Sequence, residues 1–246
     1  HVRLARIRLQ QARIDEASAA LAAAEKVADA EGKPSVDHLR NDIANWKRER
    51  KIADIRQAIA QSEDDSEKRM TLIDELVSAG KIDETLRSCE ALINEHPEWI
   101  DHLLEHLETA IRRSTFNYRL CDYLSDLYFQ QGRFEALLKL YRSMAENALD
   151  PTRLLIQGCK RILEKAPMHA ATRQELALAY RTGGDWNGVI EALDPMLEAH
   201  GNGTPMAAED RALWVEAAYR LGRLEEARTV GVPLAEELAG EAGFRL

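Results

Sequence analysis

A short turn sequence recurs five times along this chain: Ala12-Arg13-Ile14-Asp15-Glu16-Ala17, Gly80-Lys81-Ile82-Asp83-Glu84-Thr85, Gly132-Arg133-Phe134-Glu135-Ala136-Leu137, Gly184-Asp185-Trp186-Asn187-Gly188-Val189 and Gly222-Arg223-Leu224-Glu225-Glu226-Ala227. In each, a small residue closes one helix, and a polar and an apolar residue then turn the chain. Acidic or polar residues open the next helix, and a small or apolar side chain packs back onto the first. Glycine tolerates the left-handed conformation that a helix terminus needs, so the turn glycines mark helix ends. Connections this short leave successive helices antiparallel.

Between the turns almost every stretch has helical period and almost none alternates as a strand does; Phe134, Leu137, Leu138, Tyr141, Met144 and Ala145 form one apolar stripe. Asp150-Pro151 and Thr204-Pro205 each place a capping oxygen before a proline at the first helical position. The pattern predicts helices over 1–11, 14–31, 36–61, 66–79, 82–95, 98–113, 117–131, 134–147, 151–165, 169–182, 186–199, 206–221 and 224–239. The fold class is therefore all-α, a stack of antiparallel helix pairs. The expected organisation is an N-terminal partial repeat plus a long helix over 1–65, then a helical repeat array over 66–246, as one continuous solenoid.

The turns resemble the tetratricopeptide repeat. With each turn glycine at repeat position 15, Leu72, Leu124, Leu176 and Trp214 fall at the large apolar position 7, and Tyr128 and Tyr180 at the aromatic position 11. Pro97 closes the repeat of Gly80, and Ala17 and Ala227 occupy the small position 20 of theirs. Thr85, Leu137 and Val189 depart from that small residue. Gly80, Gly132 and Gly184 are spaced by 52 residues rather than the family's 34, so additional helices such as 98–113 and 151–165 intervene. The resemblance implies a right-handed α-α superhelix whose concave face binds a partner protein or peptide. By repeat position that groove is lined by Arg119, Asp122, Asp126, Phe129 and Gln130, by Gln174, Arg181 and Thr182, and by Glu216, Tyr219 and Arg220. Relatives that clamp a terminal carboxylate use lysine and asparagine where Asp122 and Asp126 stand, so an acidic tail is repelled there.

The 246 residues carry 33 Lys and Arg against 42 Asp and Glu, a net charge of −9, opposite in sign to what a general nucleic-acid binder needs. Residues 61–110 hold 4 basic and 14 acidic side chains. The densest basic run is Trp46-Lys47-Arg48-Glu49-Arg50-Lys51, on the long helix. It is either a solvated face or a contact for something acidic, the chain's own 63–67 segment included. No stretch approaches the roughly 18 apolar residues of a membrane span, and His1 to Gln10 has no secretory apolar core. Cys89, Cys121 and Cys159 are odd in number and widely spaced, which reads as core packing in a reducing compartment, with a cytoplasmic location expected.

No phosphate loop, nucleophile elbow, metalloprotease motif or kinase signature occurs. His96, His102 and His106 with Asp101, Glu105 and Cys89 are the closest approach to a metal set, His102 and His106 being i, i+4. The apolar stripe of Trp99, Ile100, Leu103, Leu104, Leu107 and Ile111 turns both histidines to the solvated side of their helix. No catalytic residue, metal or cofactor is expected. The leading expectation is a noncatalytic adaptor. The alternative is a scaffold arm of a larger protein, because the first repeat begins midway along its helix, with Leu4 and Ala5 at positions 7 and 8. That open end would stack on preceding repeats or self-associate.

Overall fold

The computed structural model describes residues 1–28, 32–61, 65–113 and 117–243. Among them are thirteen α-helices, one turn of 3-10 helix and no strand. The helices are α1 (Val2–Gln10), α2 (Ile14–Glu25), α3 (Lys33–Ile59), α4 (Ser66–Ser78), α5 (Ile82–Glu95), α6 (Ile100–Arg113), α7 (Tyr118–Gln130), α8 (Phe134–Glu146), α9 (Pro151–Lys165), α10 (Ala170–Thr182), α11 (Trp186–Gly201), α12 (Ala208–Arg220) and α13 (Leu224–Gly243). None of the described helices is long and apolar enough to cross a membrane. The architecture is all-α, and within each compact unit the helices pack on their sequence neighbours.

The five recurring turns share one backbone geometry. Gly80, Gly132, Gly184 and Gly222 have φ of 69°, 68°, 74° and 75°, and Ala12 holds the same region at 57°. In each, two nested hydrogen bonds close the helix: Lys81 N to Leu76 O and Gly80 N to Val77 O at 2.9 Å, with counterparts at Arg13, Arg133, Asp185 and Arg223. This αL closure satisfies carbonyls that a helix end otherwise leaves open.

The chain divides into two compact units, His1–Leu120 and Cys121–Leu246. In the first, α1, α2 and the N-terminal half of α3 enclose a core of Ala5, Ile14, Ala17, Leu21, Leu39 and Ile43. The C-terminal half of α3 packs Ile52 against Leu72 and Leu76 of α4. The long helix thus lies within the stack along its length. Its basic run is partly engaged: Lys51 pairs with Glu75 and Glu49 with Lys81, both at 2.6 Å. Glu63 and Asp64 lie outside the described residues.

In the second unit α7 to α13 follow one another in antiparallel succession. Asp150 caps α9, its carboxylate accepting from Arg153 N at 3.0 Å, with Pro151 at the first helical position. The Thr204-Pro205 start is corrected by the structure: α12 begins at Ala208. Met206 is buried instead, its N–H donating to His200 Nδ1 at 3.3 Å, which keeps 204–207 out of the helix. Helix α11 continues through Pro195, which has no N–H to return to the preceding turn. Arg173 of α10 donates to the nearby Ala192 carbonyl at 2.8 Å.

The small contact expected at position 20 is made elsewhere: one residue earlier in the Gly184 repeat, and on α9 for the Gly132 repeat. Val189 and Leu137, at position 20 itself, are fully buried. The close approach is made by Gly188, where a Cβ would stand 2.5 Å from the Tyr180 ring, and by Gly158, where it would stand 2.6 Å from Tyr141. Cys89, Cys121 and Cys159 are buried and free. Burial pushes the Cys89 and Cys159 thiols up to about 12 and the Cys121 thiol to about 11, so all three stay protonated and unreactive at neutral pH.

Candidate functional site

Within the second unit, side chains link helices two apart in sequence. Arg161 of α9 reaches Asp126 of α7 at 2.6 Å. Arg142 of α8 reaches Glu175 of α10 at 2.7 Å. Arg181 of α10 reaches Glu216 of α12 at 3.0 Å. Odd and even helices therefore line up as two layers. Because 52 residues is three helices, the turn motif opens from the odd layer at Gly132 and from the even layer at Gly184 and Gly222. The groove residues expected from repeat position divide accordingly.

Asp122, Asp126, Phe129 and Gln130 lie on α7 beside α9. Arg161 Nη1 also donates to Ser125 Oγ and Tyr141 Oη, at 3.3 and 3.4 Å. Its guanidinium lies 4.5 Å from the centre of the Phe129 ring, and Lys165 Nζ lies 4.4 Å from it. Lys165 also donates to Phe129 O at 3.2 Å. Phe129 is thus already covered by two cations from the neighbouring helix. Burial, and then the charge of Asp126, hold the Asp122 carboxyl above its ordinary range, with Arg161 pulling the other way. Gln130 is exposed at the end of the helix. Arg119 belongs to the first unit, where it pairs with Asp83 at 2.6 Å.

The other set lies on α10 and α12. Glu216 takes Arg181 at 3.0 Å and Arg220 at 3.9 Å, so two guanidinium groups share one carboxylate. Arg220 also stands 5.5 Å from the centre of the Trp186 ring. Gln174 hydrogen-bonds to the buried Asp210, whose carboxyl is raised by burial and by Glu209 and lowered by that bond. Tyr219 is 66% exposed and Leu178 42%, each one turn from a member of the Arg181–Glu216 pair. The face is anchored beneath by Trp214, which donates to Asp194 at 2.6 Å, and by Arg211, which holds both Glu237 oxygens at 2.8 Å. Thr182 is exposed at the end of α10, its hydroxyl donating to Leu178 O.

Reading outward from the turn glycines left out three contributors, Leu178, Arg161 and Lys165. Leu178 occupies a groove position by repeat count, and an apolar side chain there carries no signal that separates it from the core. Helix α9 has no turn glycine, and its contacts with α7 span about 35 residues, a separation that no local pattern marks.

The histidines do not converge. His102 and His106 are exposed on α6, the His106 ring standing 3.0 Å from His102 O and 3.8 Å from Asp74. His96 instead faces Asp65 at 3.4 Å, and Cys89 is fully buried. Among the described residues no group of three His, Cys, Asp or Glu side chains is placed to hold a metal ion.

The sequence matches no family model and no curated protein. Several solved structures align with it, two of them as follows. One is a mutant of MamA, 17% identical over 80% of this chain and 98% of that one, with a TM-score of 0.30. The other is MamA MSR-1 C2, 16% identical over 96% and 92%, with a TM-score of 0.29. Superpositions this loose carry no inference about activity, which rests on the chain's own residues.

Proposed function

We propose that this chain is a noncatalytic protein-interaction module of tetratricopeptide-like helical repeats, and that it receives an extended or helical segment of a partner across the α10–α12 face. The observation that carries this reading is the exposed pair Leu178 and Tyr219 flanking a fixed ion pair on two adjacent helices. Large side chains on an otherwise polar surface supply the anchors of an interface, whereas the ion pair at its rim sets register more than affinity. Arg181 and Arg220 together exceed the charge of Glu216 by one, which favours a segment that sets an acidic side chain beside an apolar one. The helices are already formed, so the ordering cost falls on the partner. The buried, protonated cysteines suit a reducing compartment, in keeping with a cytoplasmic location.

Affinity capture from source-cell lysate with the wild-type chain, Arg181→Glu, Tyr219→Ala and Asp126→Lys tests this reading. A partner confirmed with purified components is expected to keep its affinity for Asp126→Lys and to lose about tenfold or more with Tyr219→Ala, on the order of 1.4 kcal/mol. Arg181→Glu, which sets two carboxylates against each other, is expected to abolish binding. Loss with Asp126→Lys alone moves the site to the α7–α9 surface, and no loss with any variant removes both.

A second reading, an assembly arm, rests on Leu4 and Ile7, which lie one turn apart on α1 and are 43% and 50% exposed. Association that rises with concentration in sedimentation, and disappears when both are replaced by lysine, is its expected signature.

A further inference from the structure

Helices α1 and α13 each use one side inside their own unit and leave the other to solvent. In α1 the buried residue is Ala5, and helical spacing puts Arg3, Leu4, Arg6 and Ile7 on the side away from it, all four exposed. In α13 Ala227 and Leu234 are buried, and a Cβ on Gly231 would stand 3.4 Å from Val215 of α12. The side away from that contact carries Glu225, Thr229, Val232 and Glu236, with Ala235 and Ala239 beside Val232, and all six are exposed.

The two outer sides have opposite charge. Helix α1 carries Arg3, Arg6 and Arg8 and no acidic residue. Arg8 is engaged by Glu16 at 3.5 Å, whereas Arg3 and Arg6 have no carboxylate partner among the described residues. Residues 224–239 of α13 hold four glutamates and one arginine. Glu237 is held by Arg211 and Glu226 stands 3.9 Å from Arg223, but Glu225 and Glu236 have no ion-pair partner among the described residues. An exposed charge or an exposed aliphatic residue is ordinary on its own. Here aliphatic side chains are interleaved with arginines on one helix and with glutamates on the other, the make-up of two complementary halves of an interface.

We propose that α1 of one copy of this chain docks on α13 of a second copy, with Leu4 and Ile7 packing on Val232, Ala235 and Ala239 while Arg3 and Arg6 face the glutamate side chains of Glu225 and Glu236. Two α1 helices meeting each other would oppose arginine to arginine, and two α13 helices glutamate to glutamate, so charge disfavours both like pairings and favours the unlike one. The contact is therefore heterologous, joining two different surfaces of the same chain. It rests on the assembly reading of Leu4 and Ile7, for which it names the receiving face, and it is independent of the α10–α12 face.

The test is sedimentation velocity of the full chain over a range of concentrations. Four chains are compared: wild type, Arg3→Glu with Arg6→Glu, Glu225→Lys with Glu236→Lys, and a chain carrying all four changes, whose net charge equals that of wild type. Every altered side chain is exposed and outside the core, so the fold is retained. Wild type is expected to associate as concentration rises, and less so at high salt. Each paired reversal alone is expected to weaken association about tenfold or more. The four-change chain, and an equimolar mixture of the two reversed chains, are expected to recover it to within about threefold, because every contact again joins opposite charges. A wild type that stays monomeric overturns both this proposal and the assembly reading. Association that is lost when Leu4 and Ile7 become lysine, yet ignores reversal of Glu225 and Glu236, leaves the assembly reading standing and overturns α13 as the receiving face. Failure of the four-change chain to recover overturns it as well.

Discussion

Ala12 holds a φ of 57° where four other turns of the same geometry have glycine. The left-handed region brings Cβ against the following carbonyl and costs an L-residue roughly 1–2 kcal/mol, while a glycine costs about 0.4–1 kcal/mol more to order from the unfolded chain. The difference favours glycine, so Ala12→Gly is expected to stabilise the first unit by about 0.5–1 kcal/mol. An upward shift of the urea midpoint at unchanged slope is the expected readout. A downward shift would mean that the methyl group makes a contact worth more than the strain. Ala12 also lines a groove of about 530 Å³ with Trp46, Lys47 and Arg50, so the same variant reports on the wall of that groove.

Between helices, the decisive contacts are those made by the smallest residues. A methyl group on Gly188 would stand 2.5–2.8 Å from the root of the Tyr180 ring, where nothing yields without moving α10 against α11. Gly188→Ala is therefore expected to destabilise by about 1–3 kcal/mol even though alanine is the better helix former. Gly201→Ala, at the end of the same helix with nothing within 4 Å, is expected to leave stability unchanged or raise it by up to about 1 kcal/mol. Thermal unfolding of the two variants separates packing from propensity. The elements themselves were legible in the sequence, since a turn glycine, a capping aspartate and an apolar stripe are all local: the start of α9 at Asp150-Pro151 was read directly. Thr204-Pro205 misled because the burial of Met206, a tertiary demand, overrode the local capping signal. The candidate groove positions could be counted off from the turn glycines, but which of them share a face could not. The 52-residue spacing was visible, but it took the pairs Arg161–Asp126 and Arg181–Glu216 to show that three helices carry the motif from one layer to the other.

At the scale of the whole chain, each unit closes its own apolar core: Leu39 is fully buried among α1, α2 and α3 in the first, and Leu137 is fully buried in the second. In stacked helical arrays an element gains its stability from its neighbours, so a local loss need not propagate. Leu39→Ala removes buried apolar volume and is expected to cost about 2–5 kcal/mol. Native-state hydrogen exchange tells where that loss is felt. Amides of α1 to α3 are expected to lose protection by the full amount, while those of α10 and α11 change by no more than a few tenths of a kcal/mol, the level at which distant sites behave independently. A uniform fall across both units would show instead that the chain opens as a single cooperative block. The distinction bears on the proposed interaction: if the units open separately, the α10–α12 face stays formed while the first unit loosens.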